Sequence, residues 1–357
     1  MRVAVAYELG RPLVLEDLPT PAIGPRDVLV RVAASGICQT DLLAIRHTAR
    51  KTPLVPGHEA CGTVEAVGPE VRRVKVGDRV LASVTPACGS CWWCANEMSQ
   101  HCERKALRFG PRFDLPDGRQ APALCGCGSF AEAMVVDEAT VVAVRTDLPD
   151  EQLALLGCGV TTGLGAALNT AAVRSGSSVA VIGCGGVGQA VVQGARIAGA
   201  STIIAIDLSP GRREAAVQVG ATHAVDPADG DPVEQVRALT EGRGADHSFE
   251  VVGLPQLMVQ ACDMARAEGT VTLIGMPHSA DAALSLPAMP LAASGKRIQG
   301  SVAGGSQILR DFPRYIRMAE TGQLNLGALV SRRITLDQVN EGIDMLDRAD
   351  GVRTVIV

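Results

Sequence analysis

The sequence predicts an α/β protein of two domains, one rich in antiparallel strands and one built on a doubly wound parallel sheet. Its 357 residues exceed the usual size of a single hydrophobic core. Hydrophobic residues form 47% of the chain and the mean hydropathy is +0.20, which indicates a globular rather than a disordered protein. The pattern of strands and helices changes near Ser177, so the second domain is expected to have begun by this residue.

The first part of the chain, up to about residue 158, contains short Val-rich patterns that are interrupted by Gly and Pro. These patterns are DVLVRVAASG, GTVEAVG, VGDRVLA and SFAEAMVV. Several short strands separated by turn residues predict an antiparallel, barrel-like domain.

From Ser177 onward, strand and helix patterns alternate. Strands are predicted at SSVAVIG, STIIAID, ATHAV, DHSFEVV and GTVTLIG, and helices at VGQAVVQGARIAG, SPGRREAAVQVG, VEQVRALT and PQLMVQACDMAR. This succession predicts a parallel sheet in a doubly wound arrangement. From about Ala303, a helical stretch, RDFPRYIRMAETG, is followed at the C-terminus by a strand pattern, VRTVIV, which could return to the first domain.

The charge and the N-terminus argue against several classes of protein. A net charge of −5 and a pI near 5.7 do not suggest binding to nucleic acid or to an anionic membrane. The N-terminal stretch MRVAVAYELG lacks the long apolar region of a signal peptide, and there is no run of about 18 apolar residues that would predict a membrane helix. We therefore expect a cytoplasmic protein.

Four of the eleven cysteines occur within one short segment, CGSCWWCANEMSQHC. They are Cys88, Cys91, Cys94 and Cys102. Disulfides are disfavoured in a reducing compartment, and the spacing departs from the ferredoxin cluster motif, since the last gap is longer and Glu103 follows in place of proline. Thiols that are simply packed in a core remain an alternative, but the polar residues between them suggest an exposed loop. A structural zinc site is favoured.

The segment GCGGVG fits the G-x-G-x-x-G pattern of a dinucleotide-binding loop. The predicted loop residues are Gly183, Gly185, Gly186, Val187 and Gly188. The segment ends a predicted strand and begins a predicted helix, and Asp207 ends the next strand. Asp207 would accept hydrogen bonds from the adenosine ribose and repel a 2′-phosphate, which favours NAD, although Arg212 and Arg213 follow closely. A glycine turn needed only for packing is the alternative.

A second set of potential metal ligands is spread along the chain. His58 and Glu59 are adjacent in PGHEACGTVEAVG, Cys38 occurs in GICQTD, and Cys158 occurs in GCGVTTG. Taken singly, each residue is more readily explained as a buried histidine or cysteine of the core.

Together these segments resemble the zinc-dependent alcohol dehydrogenases of the medium-chain dehydrogenase/reductase family. The pattern GHE-x2-G-x5-G-x2-V is complete through Val71, and the other motifs follow in the family's order over essentially the whole chain. The resemblance implies a GroES-like catalytic domain over 1–159 and 303–357, with a structural zinc lobe at about 86–104. It also implies a Rossmann NAD-binding domain over 160–302 and a catalytic zinc in the cleft between the domains.

The resemblance also implies roles for single residues. Cys38, His58 and Cys158 would hold the catalytic zinc and the four-cysteine lobe a second zinc, which makes two per subunit. Asp41 would hold the ring of His58, Glu59 would approach the metal transiently, and Thr40 would take the proton of the alcohol. Thr162 and Val187 correspond to positions that pack the nicotinamide, and Arg353 to one that contacts the pyrophosphate.

The chain departs from the family at the proton relay. Leu43 occupies the position where many members have a histidine, and either His47 or water could take its place; His47 could equally be an ordinary surface residue. Leu43, Val84 and Phe130 are expected to line an apolar substrate pocket.

These features suggest a zinc-dependent, NAD-linked oxidation of a primary or aryl/allylic alcohol. The alternatives are a dehydrogenase for S-hydroxymethyl adducts of a thiol, a nicotinoprotein that retains NAD, and, more remotely, a catalytically silent cofactor-binding partner. A homo-oligomer is expected, as a dimer or a tetramer.

Overall fold

The computed structural model describes residues 1–46, 52–104, 110–277, 279 and 281–357. Its strands are β1 Arg2–Val5, β2 Val14–Asp17, β3 Asp27–Gly36, β4 Glu59–Val67, β5 Arg79–Ala82, β6 Pro111–Asp114, β7 Gln120–Pro122, β8 Ala133–Asp137, β9 Val141–Ala143, β10 Ser178–Ile182, β11 Thr202–Ile206, β12 His223–Val225, β13 Ala245–Glu250, β14 Ala265–Leu273, β15 Arg297–Gly300, β16 Val330–Ile334 and β17 Arg353–Ile356. Its α-helices are α1 Gln39–Arg46, α2 Trp92–Ala95, α3 Asp150–Ala154, α4 Gly159–Gly165, α5 Gly186–Ile197, α6 Pro210–Val219, α7 Pro232–Leu239, α8 Pro255–Met264, α9 Ala288–Ser294, α10 Ile308–Glu320 and α11 Val339–Asp347. Among the described residues, no single helix has both the length and the apolar character to cross a membrane; the bent pair Asp150–Gly157 and Gly159–Thr170 meets that test of length and composition only when its two parts are combined.

The chain divides into two compact units. Unit 1 comprises Met1–Thr161, Ser306–Gly322 and Leu329–Val357, and unit 2 comprises Thr162–Gly305 and Gln323–Ala328. The short return to unit 2 is held by Gln193, which donates to the carbonyl of Asn325 at 3.1 Å and accepts from its amide at 2.7 Å. No pattern in the sequence indicated this return, and the domain limits inferred from the sequence remain a prediction.

Unit 1 is organised around a seven-stranded sheet in which β3 is central. The strand order is β16-β17-β3-β4-β5-β9, with β8 also paired to β3. The pairs are antiparallel except for β16 with β17. Val28 and Val30 of β3 are fully buried and pack with Val64, Val80 and Met134 in one apolar cluster. The C-terminal strand β17 pairs with β3, so the final strand does lie in the β-rich unit.

Unit 2 contains a six-stranded, entirely parallel sheet in the order β12-β11-β10-β13-β14-β15. Alternate residues of β10 face opposite sides, so Val179 and Val181 join the cluster that includes α5, while Ala180 and Ile182 join the cluster that includes α7 and α8. Because both faces are covered, these strands are nearly continuous apolar runs. The prediction of a doubly wound parallel sheet is confirmed.

The element limits differ from the sequence prediction after β13. The helix predicted through Arg266 ends at Met264, because Ala265 already pairs with Ala245 as the first residue of β14. The sequence reading also missed α9 and β15. No residue of α9 is buried, so it has no apolar face to produce a periodic signal.

Candidate metal centres and cofactor loop

Cys38, His58, Glu59 and Cys158 converge in unit 1. Cys38 directly precedes α1, His58 and Glu59 lie at the start of β4, and Cys158 directly precedes α4. One donor atom from each residue lies within 4.8 Å of the others. Thiolate sulfur, imidazole nitrogen and carboxylate oxygen are the three donor types that zinc accepts in proteins.

The carboxylate of Asp41 fixes the positions of two members of this cluster. One oxygen accepts from the amide of Cys38 at 2.9 Å, and the other contacts Nδ1 of His58 at 3.0 Å and accepts from the amide of Gly57 at 2.8 Å. Asp41 and His58 are both fully buried. Since a carboxylate accepts, Nδ1 of His58 donates to Asp41, and Nε2 is the ring nitrogen that is left for a metal.

The Nε2 atom of His58 is itself the test of whether a metal fits. It is buried and has no hydrogen-bond partner among the described residues. Leaving such an atom unsatisfied costs about 1–3 kcal/mol. A cation bound by Nε2 and the sulfurs of Cys38 and Cys158 would satisfy it, with three protein ligands and one open position. The residues present therefore fit a zinc ion.

In the absence of a metal, the sulfurs of Cys38 and Cys158 hold one proton between them more readily than one proton each. The thiol of Cys158 donates to Cys38, and this hydrogen bond lowers the pKa of Cys38 well below its usual range despite burial. The same interaction, together with burial, raises the pKa of Cys158. Binding a metal to both sulfurs must therefore release a proton from Cys158.

Glu59 is buried beside the guanidinium of Arg353. Its Oε1 accepts from the amide of Gly159 at 2.9 Å and from Nη2 of Arg353 at 3.1 Å. Burial raises the pKa of Glu59 to about 8, while Arg353 opposes this shift. Arg353 also donates to the carbonyl of Ile37. A contact of Arg353 with pyrophosphate remains a prediction; within unit 1 its guanidinium is bound to Glu59.

Gly159 is a site residue that the sequence reading missed. A Cβ atom at this position would lie 1.9 Å from Nη2 of Arg353, so a side chain there would displace the guanidinium from Glu59. The signal available in the sequence was the glycine that directly follows Cys158 in GCGVTTG.

The four-cysteine lobe forms a second cluster in unit 1. Its members are Cys88, Cys91, Cys94 and Cys102, whose sulfurs all lie within 4.8 Å of one another. The Sγ–Sγ distance is 3.9 Å between Cys88 and Cys94 and 4.0 Å between Cys91 and Cys102. A zinc ion with Zn–S bonds of about 2.3 Å separates tetrahedral sulfurs by about 3.8 Å, whereas a disulfide requires about 2.05 Å. The spacing fits a closed tetrahedral metal site.

Backbone amides favour the ionised form of the first cysteine in the lobe. The amides of Ser90 and Cys91 point at Sγ of Cys88, at 3.5 and 3.3 Å. Burial opposes ionisation of Cys88, but these amides lower its pKa to about 6. Burial raises the pKa of Cys94 to about 12. As in the first cluster, a cation would be needed to hold all the sulfurs as thiolates together.

The glycine loop lies at the carboxyl end of β10 in unit 2. Gly183 has a φ of +92°, and a Cβ at Gly188 would lie 1.9 Å from the carbonyl oxygen of Gly183, so both positions require glycine for packing. At Gly185, a Cβ would meet nothing closer than 3.8 Å. This glycine leaves open space above the N-terminus of α5, which is where a dinucleotide pyrophosphate would approach the backbone.

Asp207 lies directly after β11 and contacts the glycine loop. Its carboxylate accepts from the amide of Cys184 at 2.7 Å and from the amide of Ser209 at 2.8 Å. Arg213 is committed to an ion pair with Asp226 at 2.7 Å and donates to the carbonyl of Asp207. Arg212 extends toward Gly185, whose Cβ position would be 3.8 Å from its guanidinium.

Comparison with known proteins identifies the family. Residues 24–146 match the family described as alcohol dehydrogenase GroES-like domain, and residues 186–321 match the one described as zinc-binding dehydrogenase. The chain belongs to the zinc-dependent alcohol dehydrogenases of the medium-chain dehydrogenase/reductase family. The predicted family and the predicted pairing of a GroES-like with a Rossmann domain are thereby confirmed.

Three similar proteins match nearly the whole of this chain. It is 35% identical to the S-(hydroxymethyl)glutathione dehydrogenase of Synechocystis sp., over 99% of each chain. It is also 35% identical to the NDMA-dependent alcohol dehydrogenase of Amycolatopsis methanolica, over 100% of this chain and 98% of that one. The structure of benzyl alcohol dehydrogenase from Acinetobacter calcoaceticus superposes with a TM-score of 0.92 at 30% identity, over 99% of this chain and 98% of that one.

The three residues predicted to line a substrate pocket differ in their surroundings. Leu43 is buried on α1, and Val84 is half-buried after β5. Phe130 is fully buried and packs in a core cluster with Leu13, Ile37 and other apolar residues of unit 1. Its surroundings are those of a core residue, and lining a pocket remains a prediction for all three.

The other predicted site residues are placed as follows. Thr40 is half-buried in the first turn of α1. Thr162 and Val187 are half-buried, and α4 packs closely on the start of α5, since a Cβ at Gly163 would lie 2.2 Å from the carbonyl oxygen of Val187. His47 lies outside the described residues.

Replacing Cys94 tests the four-cysteine site. We expect Cys94→Ser to lose one equivalent of bound zinc relative to the wild type and to lower the melting temperature, because three thiolates no longer close the site. Metal analysis and thermal unfolding measure the two effects. Cys125→Ala is the matched control, since Cys125 belongs to neither cluster, and it should retain the wild-type metal content. Near-normal stability and zinc content in Cys94→Ser would refute a structural metal in the lobe.

Two glycines of the cofactor loop should respond differently to alanine. Gly188→Ala should lower the free energy of unfolding by about 1–3 kcal/mol, since the new Cβ collides with a backbone oxygen. Gly185→Ala should change it by less than about 0.5 kcal/mol but should weaken NADH binding by occupying the open space above α5. Urea unfolding and fluorescence titration with NADH measure both quantities. Equal destabilisation of the two variants would contradict this distinction.

Proposed function

We propose that this protein is a zinc-dependent, NAD-linked alcohol dehydrogenase that interconverts a primary or aryl/allylic alcohol and its aldehyde. The observation that carries the proposal is the buried cluster of Cys38, His58 and Cys158, with the ring of His58 held by Asp41 so that Nε2 is free. Three ligands with an open position are typical of catalytic zinc, whereas structural sites are closed. Two zinc ions per subunit are proposed, the second in the four-cysteine lobe.

The residues around the cluster have distinct tasks in this reaction. When bound, zinc would supply a Lewis acid that favours loss of the alcohol's proton, and NAD would supply the hydride acceptor. Asp41 fixes the tautomer and orientation of His58. Thr40, in the first turn of the helix that Cys38 precedes, is proposed to receive the proton at Oγ1. Glu59 remains paired with Arg353 and keeps one oxygen, Oε2, without a hydrogen-bond partner inside the cluster.

Onward transfer of the proton differs from the route that is usual in the family. Leu43 has no titratable group, so the proton cannot pass through that side chain. We propose that water or His47 carries it to solvent.

NAD is the proposed cofactor, bound by the loop from Gly183 to Gly188. The carboxylate of Asp207 at the end of β11 would accept hydrogen bonds from the ribose and disfavour a 2′-phosphate. The ion pair between Arg213 and Asp226 supports NAD over NADP, because it leaves Arg213 neutralised. Thr162 and Val187 are proposed to pack the nicotinamide.

Two other substrates or modes remain open, each favoured by a specific relative. The similarity to the Synechocystis S-(hydroxymethyl)glutathione dehydrogenase favours oxidation of a thiol–formaldehyde adduct. The equal similarity to the NDMA-dependent enzyme of Amycolatopsis methanolica favours a nicotinoprotein that retains its NAD. The benzyl alcohol dehydrogenase structure, together with the apolar Leu43, favours the aryl alcohol.

A substrate panel separates these possibilities. Benzyl, allyl and short primary alcohols, and formaldehyde with and without glutathione, are each assayed with NAD and with NADP by the absorbance of the reduced cofactor. We expect the greatest turnover with an aryl or allylic alcohol and NAD. Turnover that requires formaldehyde and a thiol together would replace this substrate class. NAD that remains bound through gel filtration, with turnover only in the presence of an artificial acceptor such as NDMA, would identify a nicotinoprotein.

Replacing Cys158 tests the catalytic metal site. Cys158→Ser should lower kcat by more than about 100-fold, since even residues that only orient zinc ligands contribute 10–100-fold. NADH affinity should change little, because the glycine loop is unaltered. Steady-state kinetics, NADH titration and metal analysis measure these effects, with Cys125→Ala as the control. Turnover in Cys158→Ser that matches the control would exclude a catalytic metal at this cluster.

A further inference from the structure

Unit 2 has a row of polar side chains at the end of its sheet opposite the glycine loop. His247 of β13 is the register partner of Thr270 of β14, and Thr270 is the partner of Arg297 of β15. Residues in register on parallel strands project from the same face of the sheet. His247 is also the partner of Val179, and Val179 packs in the apolar cluster on this face. A face that is otherwise apolar thus ends in a His–Thr–Arg row.

A pocket with a volume of about 370 Å³ lies over this row. Its other side is formed by the end of the π-helical segment at Thr170 and by Arg174, which leads to β10. Gln299, one step further along β15, donates to the carbonyl of Thr170 at 3.0 Å and to the hydroxyl of Thr272 at 3.2 Å, and so closes the pocket at its base. The lining belongs entirely to unit 2.

The pocket holds an excess of positive charge. Its lining includes three arginines, Arg174, Arg266 and Arg297, and two carboxylates, Asp246 and Glu268, which leaves a formal charge of +1.

Asp246 is already fully engaged. It accepts from Nε of Arg266 at 2.6 Å and from the amide and hydroxyl of Ser178 at 2.7 and 2.8 Å. Across the described ranges, neither Arg174 nor Arg297 has a hydrogen bond or ion pair from its guanidinium. Two exposed guanidinium groups therefore face one pocket with their donors available.

His247 adds a neutral imidazole ring to the lining of the pocket. Its Nδ1 is buried and, among the residues that the structure describes, has no hydrogen-bond partner. Burial lowers the pKa of His247, with the neighbouring arginines adding to the effect, so the ring is neutral near pH 7 and offers one donor and one acceptor.

We propose that this pocket binds a small phosphorylated molecule. Guanidinium groups bind phosphate oxygens in a fork geometry, and Thr270 and His247 add neutral hydrogen-bonding groups along the same row. The volume lies at the lower end of the range for small-molecule sites and exceeds the needs of a bare phosphate ion. The ligand class is therefore a phosphate monoester. The site is distinct from the glycine loop, because the two lie at opposite ends of the parallel strands.

Binding of phosphate compounds to the full-length protein tests the proposal. Inorganic phosphate, ribose 5-phosphate and citrate are titrated at constant ionic strength, with isothermal calorimetry and the melting temperature as readouts. Ribose 5-phosphate should bind most tightly and inorganic phosphate more weakly. Arg174→Gln and Arg297→Gln should each weaken ribose 5-phosphate binding by about tenfold, and the double variant by about 100-fold.

The controls separate this pocket from the cofactor loop. Arg243→Gln removes an exposed arginine of the same unit that pairs with Glu241 outside the pocket, and it should bind ribose 5-phosphate as the wild type does. NADH affinity should be unchanged in the double variant. The proposal is overturned if the double variant binds ribose 5-phosphate as tightly as the wild type does. It is also overturned if ribose 5-phosphate competes with NADH in the double variant, because the anion would then bind elsewhere. Tighter binding of citrate than of ribose 5-phosphate would overturn the ligand class. If ribose 5-phosphate does not bind at concentrations up to about 10 mM, the site itself is overturned.

Discussion

The candidate metal site of unit 1 depends on one buried carboxylate. Asp41 accepts from the amide of Cys38, the amide of Gly57 and the ring of His58, and so ties the first turn of α1 to the segment that enters β4. A carboxylate without water must be satisfied by such donors, and an ionised acceptor makes each of these bonds stronger than a neutral one. The same interaction that makes burial of Asp41 tolerable therefore sets the positions of two of the predicted metal ligands.

A second buried charge is balanced within the same cluster. Glu59 and Arg353 are almost completely buried and contact each other at 3.1 Å, with additional bonds from the amide of Gly159 and to the carbonyl of Ile37. Removing Glu59 would leave the buried guanidinium of Arg353 as an uncompensated charge, which typically costs more than the pair itself contributes. The pair also joins β17, at the C-terminus of the chain, to the start of β4. The terminal strand thus contributes to the candidate metal site as well as to the sheet.

In unit 2, all strands of the sheet run in the same direction, so the edge formed by their carboxyl ends differs in its groups from the edge formed by their amino ends. The carboxyl ends of the strands carry the glycine loop, Asp207 and the open N-terminus of α5, an arrangement that suits a dinucleotide. At the amino ends, the helical cover stops at Thr170, and the strands continue beyond it with His247, Thr270 and Arg297. At the carboxyl ends, backbone amides and glycines would contact a ligand, while at the amino ends side chains would do so. This difference explains why only the first has a recognisable sequence motif.

The sequence by itself determined the features that depend on short spacing. These features are local patterns: the four cysteines of the lobe, the GHE segment, the glycine loop and the alternation of strands and helices. In a local pattern, the spacing of residues along the chain itself restricts their arrangement in space. They sufficed for the fold class and for identifying which residues could bind metal. Tertiary structure alone decided the partner of Arg353, the core position of Phe130, the return of residues 323–328 to unit 2 and the row from His247 to Arg297. Each of these results from pairing between segments far apart in the chain, where register and packing, rather than the identity of neighbouring residues, determine which side chains meet.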